Sequence, residues 1–354
     1  MKFRGPGTLI ILTPGFPSDE GDTSCLPAQQ VFVRALNRTF PELTVVVLTL
    51  EYPHRAAEYK WFGNKVISFG GWKAGKLNKL STLMVVWRRL GKLRREHELI
   101  GLLSFWCGPC ALLGRHFGRR NNIPQYTWIL GQDARAGNGL MPLIRPKAEG
   151  LVAMSKFLAE EFNRNYRIVP RHIIPNGVEP ALFSPGFDHR DIDVLGAGNL
   201  TTLKQYDRMV RIVFSLRQQL HFVKGVICGK GPEGGHLKEM IQTADLEGSL
   251  QLVGEKPHRE VLEYMQRTRI FLHTSSYEGF STVCLEALYA GAQVISFCDP
   301  MGVPVKNWHV VGSEEEMLEK ALQLLKDPEM RNESVRLFTM DESARAMMGL
   351  YGYE

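Results

Sequence analysis

No apolar run in these 354 residues reaches the roughly 20 residues that a membrane-spanning helix needs. Six cysteines at irregular spacings are too scattered for a disulfide framework and suit a reducing compartment. Met1-Lys-Phe-Arg-Gly-Pro leads only into a brief Leu-Ile-Ile-Leu run, too short for the apolar region of a signal peptide. A cytoplasmic location is therefore expected. The sequence also has no solenoid repeat, no low-complexity tract and no recognised nucleic-acid-binding motif to accompany its basic residues. Nucleic acid is accordingly not an expected partner. What remains is an ordinary soluble composition, 44% hydrophobic and 23% charged, with a net charge of +6.

A chain of this length exceeds one typical core, so two domains are expected. Short β-rich apolar runs alternate with helical patterns nearly throughout, which predicts doubly wound parallel α/β architecture. Thr8–Thr13, Thr44–Leu50, Lys65–Phe69, Leu99–Phe105, Gln125–Leu130 and Leu151–Met154 read as strands of the first half. The pattern restarts at Asp193–Gly196 and continues through Phe222–Cys228, Leu250–Val253, Ile270–His273 and Gln293–Ser296. Between the halves, Ile173–Gly186 carries three prolines and two glycines and reads as a turn-rich linker. Phe338–Tyr353 is helical by periodicity. The expected division is residues 1–178, residues 179–335 and a final helical segment, residues 336–354.

The densest chemistry lies between Ser276 and Ser296. Arg269–His273 reads as a short buried strand and Ala292–Ser296 as the next, while Leu285, Leu288 and Tyr289 recur at helical spacing. Gly291 is placed to stop that helix. Glu278-Gly279-Phe280-Ser281 is then a strand-to-helix turn at the carboxyl end of a strand, where open α/β sheets bind ligands. Glu286 falls about two turns into the helix. The N–H groups and positive dipole end of such a turn suit a phosphate. Two carboxylates suit ribose diols and sugar hydroxyls. The plainer reading is a capped turn followed by an exposed helical carboxylate.

Glu278 and Glu286, with seven residues between them in a Glu-Gly-Phe-Ser…Glu-Ala setting, resemble the E-X7-E signature of retaining GT-B glycosyltransferases (glycosyl transferases group 1, family 4-like). The resemblance covers about residues 5–350 and is strongest from Asp193 to Ser296. It implies two facing Rossmann-like domains, the first on the acceptor side and the second holding the donor. The last helix would cross back to the first domain. It further implies retaining transfer of a hexose from a nucleoside-diphosphate sugar to a saccharide or lipid-linked saccharide hydroxyl, as in polysaccharide biosynthesis. Glu286 would hold the ribose diol and Glu278 the hydroxyls of the donor sugar. Backbone N–H groups of Gly279, Phe280, Ser281 and Thr282, with the Lys204 ammonium, would stabilise the departing diphosphate.

Gly196-Ala-Gly198-Asn199-Leu-Thr-Thr-Leu-Lys204 follows the first strand of the second half, and its glycines let backbone approach a phosphate. Lys204 matches a lysine of the family. Asn199 stands where the family carries an arginine, which removes a bidentate phosphate partner and leaves Lys230 or Arg208 to compensate. Gly15, in Thr13-Pro-Gly-Phe-Pro, resembles the N-terminal loop that approaches the donor phosphates and acceptor, and equally suits any strand exit. Asp133, in Leu130-Gly-Gln-Asp-Ala-Arg135, would position an acceptor hydroxyl or cap the next turn. Leu130 occupies the place of the family's histidine, so no catalytic imidazole carries over. The donor region shows no Asp-X-Asp and no His/Cys cluster, so no metal or other cofactor is expected. Cys298–Val305 lacks the family's Gly-rich, Glu-bearing loop.

Three segments point elsewhere. Trp106-Cys107-Gly-Pro-Cys110 is the thioredoxin motif between an apolar strand and a helical run, so a thiol redox protein is an alternative. It would serve equally well as a strand-to-helix turn. Gly229-Lys-Gly-Pro-Glu-Gly234 formally matches a dinucleotide fingerprint but lies in the second unit of its half, and NAD binding is rejected. Residues 72–96 hold eight Lys or Arg against one Glu, with Leu77, Leu80, Leu83, Met84, Trp87 and Leu90 interleaved. A helix packed on its own sheet with a solvated basic face explains this, and peripheral contact with an anionic membrane at its inner face is the second reading. A catalytically weakened sugar-nucleotide-binding module is the remaining alternative, from Asn199 and Leu130.

Overall fold

The structure is a computed structural model that describes residues 6–71, 76–185 and 189–353, with backbone alone for residues 76–79. Lys73, the side chains of Lys76, Leu77 and Lys79, and Gly186 of the linker lie outside what is described. Tertiary contacts divide the chain into two compact units, Met1–Gly177 with Met340–Glu354, and Val178–Thr339.

The first unit opens with β1 (Gly7–Gly15), α1 (Pro27–Thr39), β2 (Leu43–Tyr52), β3 (Ala56–Trp61), β4 (Asn64–Phe69) and α2 (Lys76–Glu96). It continues with β5 (Leu99–Phe105), α3 (Pro109–Asn121), β6 (Gln125–Ile129), α4 (Met141–Ile144), β7 (Leu151–Ala153), α5 (Lys156–Tyr166) and β8 (His172–Ile173). The sheet runs β3-β4-β2-β1-β5-β6-β7-β8, parallel except where β3 pairs with β4. Leu9–Leu12 are buried completely, as expected of a central parallel strand covered on both faces. Helix starts follow local chemistry: Pro27 and Pro109 open α1 and α3, where a missing N–H costs nothing. The Ser155 hydroxyl caps α5 by accepting from the Leu158 N–H at 3.1 Å.

The second unit contains β9 (Ile192–Ala197), α6 (Tyr206–Gln219), β10 (Gly225–Cys228), α7 (Gly234–Thr243), β11 (Leu250–Gly254) and α8 (His258–Gln266). After these come β12 (Thr268–His273), α9 (Thr282–Tyr289), β13 (Gln293–Ser296), β14 (Trp308–Val310) and α10 (Glu314–Lys326). Its sheet, β11-β10-β9-β12-β13-β14, is parallel throughout. Numbered within the unit, that order is 3-2-1-4-5-6, so the winding reverses between β9 and β12.

Where the segment Ile173–Gly186 was expected to be a linker, each end of it is anchored. Ile174 donates to the Ala153 carbonyl of the first unit at 2.9 Å. In the second unit, Gln266 bonds both the N–H and the carbonyl of Ser184, and Phe183 meets Tyr289 edge-on. The chain passes between units at Gly177 and Val178.

The last helix, α11 (Met340–Leu350), starts two residues later than periodicity predicts, and residues 336–339 still belong to the second unit. It packs on α1 of the first unit, burying Met347 and Met348. Just beyond it, Tyr351 lies across β5, its hydroxyl donating to the Leu102 carbonyl at 2.8 Å. A Cβ on Gly101 would sit 2.0 Å from that ring, so glycine is what lets the ring lie down.

Three strands escape sequence reading: β3, β8 and β14. β3 is an edge strand with only Trp61 fully buried, and β8 and β14 span only two and three residues. Phe222, expected inside a strand, is exposed before β10 begins at Gly225. In α2 the buried face is Val86, Leu90 and Leu93, packed on the sheet, whereas Leu80 and Met84 of the expected apolar face are exposed. That helix carries two apolar stripes, and periodicity alone does not say which one turns inward. Among the described residues no helix is long and apolar enough to cross a membrane.

Candidate functional site

In the second unit, loops leaving the carboxyl ends of β9 and β12 meet where the winding reverses, the place an open sheet leaves for a ligand. Residues 198–205 leave β9. They are tied to the β12 exit by the Thr274 hydroxyl donating to the Lys204 carbonyl at 2.7 Å and by the Ser276 N–H donating to the Leu203 carbonyl at 3.0 Å. The Lys204 ammonium then reaches the Glu278 carboxylate at 2.7 Å. Two residues 74 apart in sequence are thus one ion pair at the switch point.

Glu278 has a second partner, His273, whose Nε2 lies 3.3 Å from the same carboxylate oxygen. Burial alone would raise the Glu278 carboxyl, but His273 and Lys204 outweigh it and hold the group below the ordinary glutamate value. Burial also lowers His273, and the nearby Lys204 charge adds to that against the pull of Glu278. A neutral imidazole with its proton on Nε2 can donate to Glu278 and leaves Nδ1 a bare acceptor; Nδ1 is buried and has no hydrogen-bond partner among the described residues. The Ser275 and Ser281 hydroxyls, each 3.3 Å from Nε2, complete this cluster.

The turn Glu278–Ser281 leads directly into α9, with Ser281 at its N-cap and Phe280 buried beneath. Glu286 is the fifth residue of α9, so it lies just over one turn from the helix start rather than about two. Its Oε1 lies 2.8 Å from His258 Nε2, at the start of α8. Gly291 follows with φ of +86°, where a Cβ would sit 2.7 Å from the Asn332 carbonyl oxygen, so the helix stops there.

Gly198, with φ of +148°, passes close to the Tyr206 hydroxyl and the Lys204 stem, while Asn199 is exposed beside it. The β9 and β10 exits interlock. Leu200 donates to the Lys230 carbonyl at 2.9 Å, and a Cβ on Gly229 or Gly231 would strike the backbone of Gly198 or Leu200. Gly229 and Gly231 therefore serve backbone packing between two loops. Of the cations proposed to replace an arginine at 199, Lys230 pairs with Glu255. Arg208 lies over the Phe297 ring at 4.8 Å, in the first turn of α6.

Asp191-Ile-Asp193 is formally Asp-X-Asp, but it stands at the amino end of β9, away from these loops. Lys224 and Arg267 each reach Asp191 at 2.6 Å, and Arg269 reaches Asp193 at 3.1 Å, which accounts for both carboxylates structurally. No group of three or more His, Cys, Asp or Glu that could hold a metal occurs among the described residues.

Gly15 and Asp133 belong to the first unit. Gly15 is the last residue of β1, where a Cβ would meet Tyr52 and Cys25 at no less than 3.5 Å. Asp133 takes the turn-organising role: its carboxylate accepts from the N–H groups of Cys107 at 2.7 Å, Gly131 at 2.9 Å and Leu130 at 3.2 Å. This joins the β5 and β6 exits, and burial raises the Asp133 carboxyl above the ordinary aspartate value against those three N–H groups. Trp106-Cys-Gly-Pro-Cys110 is the β5-to-α3 turn. Cys107 and Cys110 are buried and form no disulfide, and burial raises both thiols far above the ordinary value, the opposite of a redox thiol.

His258 and His273 are the site residues that sequence reading missed. Each was visible as a histidine at a strand or helix end, but nothing in the sequence ties either to a glutamate.

Residues 179–336 match the family described as glycosyl transferases group 1. The gpi3 subunit of phosphatidylinositol N-acetylglucosaminyltransferase from Schizosaccharomyces pombe is 27% identical over 214 residues, 58% of this chain and 47% of the relative. The chain thus matches about half the length of that relative. Sucrose-phosphate synthase from Thermosynechococcus elongatus superposes with a TM-score of 0.70 at 16% identity, covering 97% of this chain and 95% of that one. HepE from Anabaena, solved in complex with UDP, superposes with a TM-score of 0.62 at 14% identity over 96% and 94% of the two chains. The fold is that of the GT-B glycosyltransferases.

Proposed function

We propose that this chain, whose residues 179–336 match the family described as glycosyl transferases group 1, transfers a hexose from a nucleoside-diphosphate sugar to a hydroxyl acceptor. The observation that carries the reading is the Lys204–Glu278 contact of 2.7 Å at the point where the sheet reverses. One cation beside a carboxylate and a glycine-lined loop is what a departing diphosphate and a sugar hydroxyl together require. Glu286 holds the ribose diol, Glu278 the hydroxyls of the donor sugar, and Lys204 the diphosphate as negative charge develops on it. Arg208 takes the place of the arginine that Asn199 replaces, because Lys230 is already paired with Glu255.

UDP-N-acetylglucosamine is the first donor to test. The S. pombe relative is named as an N-acetylglucosaminyltransferase, and HepE was solved with UDP. Transfer proceeds with retention, the leaving phosphate taking the acceptor's proton on the front face, and requires no metal. The acceptor is a saccharide or lipid-linked saccharide. Contact with an anionic membrane through residues 72–96 would bring a lipid-linked acceptor near. Exposed Leu80, Met84 and Val85 beside Arg88, Lys92 and Arg95 support this.

The test is a thermal-shift panel of UDP, GDP, ADP and their sugar conjugates on wild type and Glu286→Ala. A ligand at a hundred times its Kd adds about 2.7 kcal/mol, enough to raise the midpoint by several degrees. A shift with UDP-N-acetylglucosamine that persists in EDTA and vanishes in the variant is the expected result. No shift with any nucleotide would overturn the reading. Binding without turnover would select the weakened-module alternative, which exposed Asn199 favours.

A further inference from the structure

We propose that His258 is the positioning residue for Glu286: its imidazole holds one carboxylate oxygen so that the other is aimed at the nucleotide ribose. This rests on the donor site described above and assigns it a residue outside the E-X7-E signature.

A glutamate on a helix surface has three freely rotating side-chain bonds, and a carboxylate that must accept from two vicinal hydroxyls needs its orientation fixed beforehand. Glu286 receives that constraint from a neighbouring helix. Its Oε1 is 2.8 Å from His258 Nε2, and both side chains are only 14% exposed. Oε2 has no hydrogen bond among the described residues, so it remains an acceptor.

His258 is itself well placed to be rigid. It is the first residue of α8, directly after Pro257, whose ring fixes the entry of the chain into the helix. The loop before it is tied down on one side by Lys230 pairing with Glu255 and on the other by Lys256 lying 3.8 Å from Glu260 one turn along. α8 packs against α9, so the two helices carry histidine and glutamate as one body. Burial disfavours an imidazolium at this position. The charge and hydrogen bond of Glu286 outweigh that and leave His258 above the ordinary histidine value, consistent with Nε2 as the donor. Each glutamate of the signature is thereby held by a histidine: Glu278 by His273 and Glu286 by His258.

The discriminating probe is a pair of ligands, UDP and 2′-deoxy-UDP, titrated calorimetrically against wild type, His258→Ala and His258→Gln. Wild type should prefer UDP by about tenfold, the scale of one hydrogen bond to a charged group. His258→Ala should lose most of that preference by weakening UDP while leaving 2′-deoxy-UDP nearly unchanged. His258→Gln, which keeps an N–H donor, should recover part of it. A general loosening of the fold would weaken both ligands alike and would overturn the proposal, as would a preference for UDP that survives in both variants. Should His258→Ala fail to fold, His258→Gln decides alone: a preference reduced but not lost supports the proposal, and an undiminished preference, or equal loss for both ligands, overturns it. If wild type binds neither ligand, the donor site itself falls, and that outcome is seen without any variant.

Discussion

Lys204 answers two demands at once, neutralising Glu278 in the protein and, in the proposed reaction, the departing diphosphate. Lys204→Ala should therefore lower kcat by roughly 10²-fold or more, the scale for removing a donor to developing charge. Its effect on donor affinity should be smaller, and steady-state kinetics with the donor that passes the panel separate the two. An unchanged kcat would end the assignment. Asp133 makes the opposite prediction. Its carboxylate gathers three backbone N–H groups, and Asp133→Ala should cost about 2 kcal/mol of stability by leaving them unsatisfied. Thermal denaturation should register that loss, while turnover well below the midpoint stays within a few fold of wild type. A collapse of turnover without a change in midpoint would instead assign Asp133 the acceptor role. The two glutamates could be singled out because a signature fixes their spacing, and the lysine because it follows a glycine-rich strand exit. The two histidines could not, because their function lies in contacts across 28 and five residues that no local pattern encodes.

Elements were legible in proportion to how completely they are buried. Leu99–Phe105 matches its predicted bounds, since a central parallel strand is a largely apolar run. β3, β8 and β14 were missed, being at sheet edges or only two or three residues long, where half-exposed alternation resembles a loop. Trp106–Cys110 shows the converse. The local setting of a redox motif is also that of any strand-to-helix turn, and only burial of both thiols decides between them. α11 offers a direct test of element docking. Gly101→Val would drive a side chain into the Tyr351 ring and break the bond from its hydroxyl to Leu102. The expected cost is about 1–3 kcal/mol, read as a lower thermal midpoint. An unchanged midpoint would mean that the segment after Leu350 contributes little to the first unit.

At the scale of the molecule, the excess positive charge becomes a question about α2. Arg89 pairs with Glu58 and Lys92 with Glu96, yet Arg88 and Arg95 stand exposed beside Leu80, Met84 and Val85. The chain should sediment with phosphatidylserine-containing vesicles at low salt and release as ionic strength rises through about 0.15 M, where the Debye length falls to about 8 Å. Replacing Arg88 and Arg95 with glutamate should abolish sedimentation. Equal recovery with neutral vesicles, or none with either, would return α2 to a packed helix with a solvated face. Composition and strand periodicity were enough to determine two doubly wound sheets, and one spaced pair of glutamates to point at the loop where a ligand is proposed, because burial and local geometry write themselves into residue order. The tertiary structure alone decided which side chains complete the site. It set Lys204 on Glu278, closed Asp133 into a turn and brought His258 to Glu286, since hydrogen bonds between loops of different strands depend on sheet order, which no single segment carries.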